Sequence, residues 1–285
     1  VNPIAIASLK TNELLRRQLM GGVNLGILIS KNLTFRSLFT GNVMYGNSSY
    51  FQPTYTIGWA RNPIASLTEG QSTTQFWNWN QLLEYNKAFG LHSINAMASH
   101  EAQESKWKNV NSSRTGFLTN DVLDLNAGDP LTATNSGGSG QWAMESYLGR
   151  LSYNYDNRYV VVGTIRTDGS ANFGPENKWG VFPSASAAWR ISNEKFFNIP
   201  VINELKIRYE TGLTGNQGNG GIYSPMATGA TPTGTGFLPA RYGNPQLKWE
   251  ETFTNNIGIN VGMLKNRIQF EFDYFVKYTD NLLMD

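Results

Sequence analysis

The side chains with the greatest capacity for chemistry in this sequence lie in two glycine-rich runs. Residues 212–221, GLTGNQGNGG, have the composition of a phosphate-binding loop but lack its Gly-Lys-Ser/Thr ending. Ser139 stands in the run GGSG at residues 137–140, yet no strand-to-helix elbow or acid–histidine pair accompanies it. Both runs therefore predict loops, and we expect no catalytic residue and no enzyme.

Metal chemistry is limited by the residue types present. The chain has no cysteine and two histidines, His92 and His100, which excludes thiolate metal sites and leaves little for zinc. Asp121, Asp124 and Asp129 could ligate calcium through carboxylate oxygens, although the spacing of an EF-hand is missing. We expect no cofactor, and calcium in the loops stays open.

The composition is that of a folded protein without a strong net charge. With 40% hydrophobic and 15% charged residues, the 285-residue chain differs from a disordered segment. The 23 basic and 21 acidic side chains are scattered, so no field suits a nucleic-acid partner. A mean hydropathy of -0.36 and the lack of long apolar runs argue against a membrane helix but allow barrel strands, whose residues alternate between lipid and water. The amino terminus lacks a signal-peptide pattern, so we expect a removed leader or a start within a longer protein.

Apolar and polar residues alternate along much of the chain, which is typical of β-strands with one wet face. The clearest run covers residues 178–191, and further runs cover 147–155, 205–210 and 268–279. Pro183 is discordant, because proline cannot donate to a strand ladder and normally marks an edge strand. Alternation alone fits a barrel or a soluble sandwich.

The lengths of the connections distinguish these two folds. About ten strands are predicted, at about residues 17–30, 33–46, 75–88, 91–103, 142–155, 158–168, 177–191, 204–215, 247–263 and 267–283. Shorter connections, at residues 30–32, 89–90, 156–157, 192–203 and 265–266, alternate with loops at 47–74, 104–141, 169–176 and 216–246. Short turns on one rim, the periplasmic one, and long loops on the other are the arrangement of an outer-membrane barrel.

Ordered motifs run through the second half of the chain. Residues 144–159 read MESYLGRLSYNYDNRY, and residues 178–192 read KWGVFPSASAAWRIS. LKIRY at 205–209, TGNQ at 214–217 and NPQLKWE at 244–250 follow in that order. Together they resemble the SusC-like (SusC/RagA) family of TonB-dependent outer-membrane transporters, and the resemblance covers nearly the whole chain. Pro183 stands where the family pattern also has proline.

The resemblance implies an all-β fold, an antiparallel transmembrane β-barrel segment. The chain would be a single partial β-barrel domain over residues 1–285, with about ten strands of a barrel of about 22. Because unpaired strand edges are not tolerated in hydrocarbon, we expect the plug domain and the remaining strands to lie outside this sequence.

The resemblance also implies a location in the cell outer membrane and import of an oligosaccharide or peptide nutrient, energised through TonB. The implied partners are outer-membrane lipid, a SusD-like surface lipoprotein, and TonB through the missing amino-terminal part. The alternative is a secreted carbohydrate-binding β-sandwich module. An outer-membrane enzyme would need an activated nucleophile that the sequence does not contain. Neither the substrate nor the oligomeric state follows from the sequence.

Charged strand residues are predicted to face the lumen, because an Arg or Lys facing lipid at mid-depth costs about 2–4 kcal/mol. The lumen-facing residues are Arg150, Arg166, Arg190, Lys206, Arg208, Glu210, Glu271, Asp273 and Lys277.

Trp179 and Trp189 have the same parity on one strand, so both are predicted to face lipid. The strand between them spans roughly 33 Å, or roughly 25 Å along the membrane normal at a tilt of about 40°. This matches the height of the apolar band, so each indole is predicted in one of the two aromatic girdles. The opposing hypothesis buries both beneath a second sheet.

The long loops carry aromatic residues that could contact a ligand or a partner, or else pack within the loops. They are Tyr50, Phe51, Trp107, Tyr223, Phe237 and Tyr242.

Overall fold

Alternating side chains along the chain fold into antiparallel strands. A computed structural model describes Ile4 and residues 9–218, 226–239 and 243–283. The strands are β1 (Thr11–Ser30), β2 (Leu33–Gln52), β3 (Tyr55–Ile57), β4 (Ala60–Asn62), β5 (Ser66–Phe89), β6 (His92–Thr115), β7 (Thr134–Tyr155), β8 (Tyr159–Ser170), β9 (Trp179–Arg190), β10 (Ile202–Asn216), β11 (Met226–Thr231), β12 (Gly234–Pro239), β13 (Glu250–Met263) and β14 (Ile268–Asp280).

Ten of these strands form one sheet in the order β1-β2-β5-β6-β7-β8-β9-β10-β13-β14. Each main strand pairs with the next main strand along the chain, which is an up-and-down topology. Within the described residues the other sheets are the two-stranded pairs β3–β4 and β11–β12. The predicted all-β antiparallel fold is confirmed. The sandwich alternative is wrong, because no second large sheet faces the first among these residues.

The short connections all lie at the same end of the strands of the ten-stranded sheet, as predicted. The amide of Asp156 donates to the carbonyl of Leu91, and that of Leu264 donates to Val201, so successive turns contact one another. The β7–β8 turn places Asp156 and Asn157 at φ 52°, the left-handed region that tight hairpins require. Residue types that favour tight turns, such as Asp156 and Asn157, therefore predicted this end of the sheet.

Several strands are longer than predicted. β5 and β6 each have 24 residues and β7 has 22, because they extend into the predicted loops 47–74 and 104–141. Residues 137–140, predicted as a loop, lie within β7, and β11 and β12 lie within the predicted loop 216–246. The added segments are rich in Ser, Thr, Asn and Gly, and ladder hydrogen bonds rather than an apolar face make them strands. The described residues include no helix long and apolar enough to cross a membrane.

Pro183 lies inside the sheet, with neighbours on both sides of β9. It pairs with Ile165 of β8, whereas the pairing of β9 with β10 begins only at Ser184, opposite Gly212. The missing N–H of proline thus falls where the β9–β10 ladder ends, so a strand with two neighbours tolerates it.

Contacts divide the chain into two units. The first comprises Phe39–Asn78, Gln103–Trp142 and the described residues up to Val23. Its core is a cluster of Phe51, Ala65, Leu67 and Phe117, in which the two phenyl rings meet edge to face at 5.6 Å.

The second unit comprises Asn24–Leu38, Trp79–Ala102 and the described residues from Ala143 onward. Its core is Phe173, Phe182 and Trp249. The single partial domain predicted for residues 1–285 stays a prediction.

Candidate functional site

All nine side chains predicted to face the lumen project from one face of the sheet. Residues directly opposite each other in antiparallel strands share a face. Arg208 lies opposite Ala188 and Gly258, and Gly258 lies opposite Asp273. The other pairs on this face are Arg150–Thr164, Arg166–Phe182, Lys206–Arg190, Glu210–Ser186, Glu271–Asn260 and Lys277–Thr254. We call this the charged face; its orientation toward a lumen stays a prediction.

Arg208 is the centre of an ion-pair network on the charged face. Its Nη2 donates to Asp273 Oδ2 at 2.7 Å and also to Glu271. Its Nε donates to Asn260 Oδ1 at 3.0 Å. These contacts cross three strands, so the guanidinium links β10, β13 and β14 as well as neutralising carboxylates.

Arg166 forms a second, smaller network. Its Nε donates to Asp168 Oδ2 at 2.8 Å, and its Nη2 donates to Ser146 Oγ at 3.1 Å. The charged face also holds an open hollow of about 880 Å³. Among the residues that line it are Arg150, Arg166, Phe182, Glu210, Phe275 and Lys277. The lining as a whole is largely apolar, and its few charged groups could orient a polar ligand.

The opposite face of the same strands is apolar and exposed. Trp179 and Trp189 lie on it and are 46% and 38% exposed, so neither is enclosed by a second sheet. The exposed apolar residues around them include Leu151, Val161, Ile165, Val181, Ile207, Ile257, Ile259, Phe270 and Phe272. We call this the apolar face. Burial of both indoles in a core is wrong; their contact with lipid stays a prediction.

Each tryptophan is part of a row of aromatic residues. Trp189 stacks with Tyr159 at 6.4 Å, and Tyr159 stacks with Tyr155 at the same distance. At the other end of β9, Trp179 lies 6.1 Å from Tyr147. Two aromatic rows ten residues apart on one face are the pattern that two membrane interfaces require.

Glu194, in the β9–β10 connection, binds the row of Tyr155, Tyr159 and Trp189 at the end of the strands where the short turns lie. Oε1 accepts hydrogen bonds from the Tyr159 hydroxyl at 2.6 Å and the Trp189 indole at 2.9 Å, and Oε2 accepts one from Arg158 at 3.0 Å. These bonds, that of Tyr159 first, lower the pKa of the Glu194 carboxyl, although burial opposes them. Hydrogen bonding to Glu194 likewise raises the pKa of Arg158. Sequence reasoning missed this cluster, although Arg158 and Tyr159 stand inside the motif at 144–159.

The predicted contact aromatics have different environments. Phe51 is 2% exposed in the first unit's core, so its assignment as a contact is wrong: its ring packs on Phe117. Tyr50 is half-buried, and its hydroxyl lies 3.4 Å from Gln52 Oε1. Both residues lie in β2 rather than in a loop.

Two of the remaining aromatics are exposed. Trp107 lies in β6 rather than in a loop, and Phe237 lies in β12. Tyr223 and Tyr242 lie outside the described residues.

The three aspartates proposed for calcium have local partners instead. Asp124 and Asp129 each accept a backbone hydrogen bond, from Asn126 and Leu131, and so cap one-turn 3₁₀ helices. Asp121 accepts from the Thr119 hydroxyl at 2.9 Å. No cluster of three acidic or histidine side chains suited to a metal occurs in the described parts of the chain.

The chain that forms this two-faced sheet also matches a known protein family. Residues 8–285 match the family described as TonB dependent receptor-like, beta-barrel. The chain belongs to this family. The SusC-like resemblance drawn from the motifs is confirmed by a relative that carries the SusC name.

Curated relatives of this receptor segment align with it from end to end. TonB-dependent receptor P26 of Formosa agariphila is 32% identical, over 100% of this chain and 30% of its own length. TonB-dependent receptor SusC of Bacteroides thetaiotaomicron is 29% identical, over 99% of this chain and 29% of its own. The segment therefore spans about 30% of the length of these relatives.

A solved structure has the same fold. The RagAB peptide transporter superposes with a TM-score of 0.91 at 21% sequence identity, over 98% of this chain and 32% of that chain. The named relatives are receptors and a transporter, and none is named as an enzyme.

Proposed function

We propose that this segment is part of the wall of an outer-membrane transporter that imports an oligosaccharide or peptide nutrient. Energy would be delivered through TonB, which binds a part of the protein outside this chain. The segment itself would catalyse no reaction.

The observation that carries the proposal is the division of the strands into two faces. The apolar face exposes large aliphatic and aromatic side chains that would be unfavourable in water, at about 25 cal/mol for each Å² of apolar surface. The charged face carries all nine predicted lumen residues, and a cation turned toward lipid would cost about 2–4 kcal/mol. A wall between hydrocarbon and water needs this arrangement, whereas a soluble domain would cover the apolar face.

The identity of the cargo rests on the relatives. One solved relative is named as a peptide transporter, and SusC is a TonB-dependent receptor. The hollow on the charged face, with Arg150 and Lys277 among its lining, lies where a polar solute would pass along the wall. We propose outer-membrane lipid as the partner of the apolar face, and a SusD-like surface lipoprotein as the partner that closes the transporter over its cargo.

The test uses the full-length receptor in cells. Fractionation should recover it in the outer membrane, and labelled oligosaccharides or peptides should enter only when TonB is present. Recovery in a soluble fraction, or uptake that continues unchanged in cells lacking TonB, would contradict the proposal.

A further inference from the structure

Trp107 of β6 has an indole ring that lies against the neighbouring strand β7. A Cβ built on Gly140 would lie 2.6 Å from the indole Nε1, and one built on Gly138 would lie 3.4 Å from Cη2. The ring therefore lies across the backbone of β7, in space that a side chain at Gly140 would fill. Trp107 as a whole is still 46% exposed, so its packing against β7 leaves much of the side chain open to solvent.

Asn109 also contacts β7 beside Trp107. Asn109, two residues along β6 and so on the same face as Trp107, accepts a hydrogen bond from the Gly138 amide at 2.8 Å. This bond uses the Oδ1 of the Asn109 amide, whose NH₂ group can still donate to another partner. Trp107 and Asn109 thus both lie against Gly138.

The whole strand face around Trp107 is polar but uncharged. Along β6 from residue 105 to 113 this face carries Ser105, Trp107, Asn109, Asn111 and Ser113. The charged side chains of the same stretch, Glu104, Lys106, Lys108 and Arg114, have the opposite parity.

The neighbouring strands continue the uncharged face. Thr68 Oγ1 of β5 donates to Ser113 Oγ at 3.1 Å. A Cβ on Gly70 would lie 2.6 Å from both Asn111 Oδ1 and Ser48 Oγ, so hydroxyl and amide groups of β2, β5 and β6 meet there. All of these residues belong to the first unit.

We propose that Trp107 is a stacking platform for a ring of a neutral saccharide. The C–H groups on one face of a pyranose are weakly positive and apolar, and they fit the negative face of an indole. The hydroxyls at the rim of the sugar need neutral donors and acceptors, which Asn109, Asn111 and the serines supply. A peptide carries charged ends and backbone amides, and this face offers its charges no partner. The inference rests on the proposed import function and selects its saccharide branch.

The structural alternative is that Trp107 only shields the glycines of β7, as aromatic residues do beside strand glycines. Measurements of ligand binding distinguish the two roles. A shielding ring would affect the stability of the receptor, whereas a platform would affect saccharide affinity as well.

The test measures binding to the purified full-length receptor in detergent. The probes are linear neutral hexasaccharides of glucose, mannose, galactose and xylose, and peptides of similar length, studied by calorimetry. At least one hexasaccharide should bind, and Trp107→Ala should weaken it at least tenfold. Trp107→Tyr, which keeps a ring, should restore most of the affinity. Gly140→Val should weaken binding although the tryptophan is still present, because the new side chain displaces the indole.

Trp59→Ala is the matched control, because Trp59 is 86% exposed in the same unit but lies in the β3–β4 turn. It should leave the affinity unchanged. The inference is overturned if no hexasaccharide binds, if Trp107→Ala binds as well as the parent, or if peptides alone depend on Trp107. Loss of TonB-dependent uptake with saccharide binding intact would instead refute the import function and leave the platform standing. Saccharide uptake that needs TonB but is unchanged by Trp107→Ala would refute the platform and leave the import function standing.

Discussion

A single carboxylate, that of Glu194, accepts hydrogen bonds from three side chains that begin or end neighbouring strands. Arg158 precedes β8, Tyr159 begins it, and Trp189 lies at the end of β9. Glu194→Gln removes the charge and replaces one acceptor oxygen by a donor group that faces other donors. We expect the thermal unfolding midpoint of the full-length receptor to fall by a few degrees. Glu176→Gln, an exposed carboxylate in the β8–β9 connection, is the control and should have no effect.

The same carboxylate predicts a pH dependence. Its pKa is lowered in the folded protein, so the cluster contributes its full stability above the ordinary carboxyl pKa, about 4.3. That contribution is lost as pH falls from this value through the lower folded pKa. Unfolding midpoints of the parent and Glu194→Gln should therefore differ at pH 7 and converge in strong acid. A difference that persists unchanged in strong acid would argue against the ionised carboxylate as the cause.

The different environments of Phe51 and Trp107 explain why contact residues were hard to predict. Both are aromatic residues in polar stretches, and no local signal separates them. Phe51 is buried because Leu67 and Phe117, distant in sequence, fold over it. Trp107 lies across the β7 backbone because Gly138 and Gly140 have no side chains, and it is still 46% exposed. Such differences depend on strand register, which alternation does not specify.

Strands were predictable where the two faces differ in polarity. Along β9 the apolar Trp179, Val181 and Ala185 alternate with residues of the charged face, and the predicted strand 177–191 matches the observed one closely. The ends of β5, β6 and β7 have polar residues on both faces, so the alternation disappears while the ladder continues. Alternation with a period of two therefore indicates that the two faces of a strand lie in different environments. It does not detect a strand whose two faces are both polar.

Ala185 tests the assignment of the apolar face. It lies on that face, midway along β9 between the two tryptophans, and it is exposed. Ala185→Arg should destabilise the receptor by about 2–4 kcal/mol in lipid bilayers, because it turns a cation toward hydrocarbon. Ser184→Arg, one residue earlier and on the opposite face, should cost little. Chemical denaturation in vesicles measures both, and equal effects would show that the faces are misassigned.

Gly215 tests the packing of the second unit. A Cβ at this position would overlap the ring of Phe182, which is buried against Trp249 with ring centroids 5.4 Å apart. Gly215→Val should therefore destabilise the receptor by about 1–3 kcal/mol through overpacking. Gly163→Val is the control, because nothing lies within 4 Å of a Cβ there. Partial rescue of Gly215→Val by Phe182→Leu would identify the overlap as the cause.

The ten-stranded sheet of the described residues has two unpaired edges. β1 and β14 each have one neighbour in the ten-stranded sheet, and their free edges expose N–H and C=O groups. Hydrocarbon does not tolerate unpaired backbone groups, so we expect further strands of the receptor to pair with both edges in the membrane. This agrees with a segment that spans about 30% of its relatives' length. That the barrel is completed by strands outside this chain stays a prediction, made because the strand count is too small for the family's barrel.

The positions of Trp179 and Trp189 decide whether this wall spans a bilayer. The strand between them covers roughly 25 Å of membrane thickness at a tilt of about 40°, so the two indoles should lie at opposite interfaces with Ala185 near the centre. This segment contains no cysteine, so Trp179→Cys, Ala185→Cys and Trp189→Cys can each carry a nitroxide in the full-length receptor, with any other cysteines replaced.

In lipid vesicles, accessibility to oxygen should be highest at position 185, and accessibility to a polar nickel reagent should be highest at positions 179 and 189. Oxygen concentrates in the hydrocarbon and the nickel complex stays in water, so their ratio reports depth. Ser184→Cys, on the charged face, should be reached by the nickel reagent if that face lines an aqueous lumen. A uniform ratio at positions 179, 185 and 189 would mean that the apolar face does not cross a membrane.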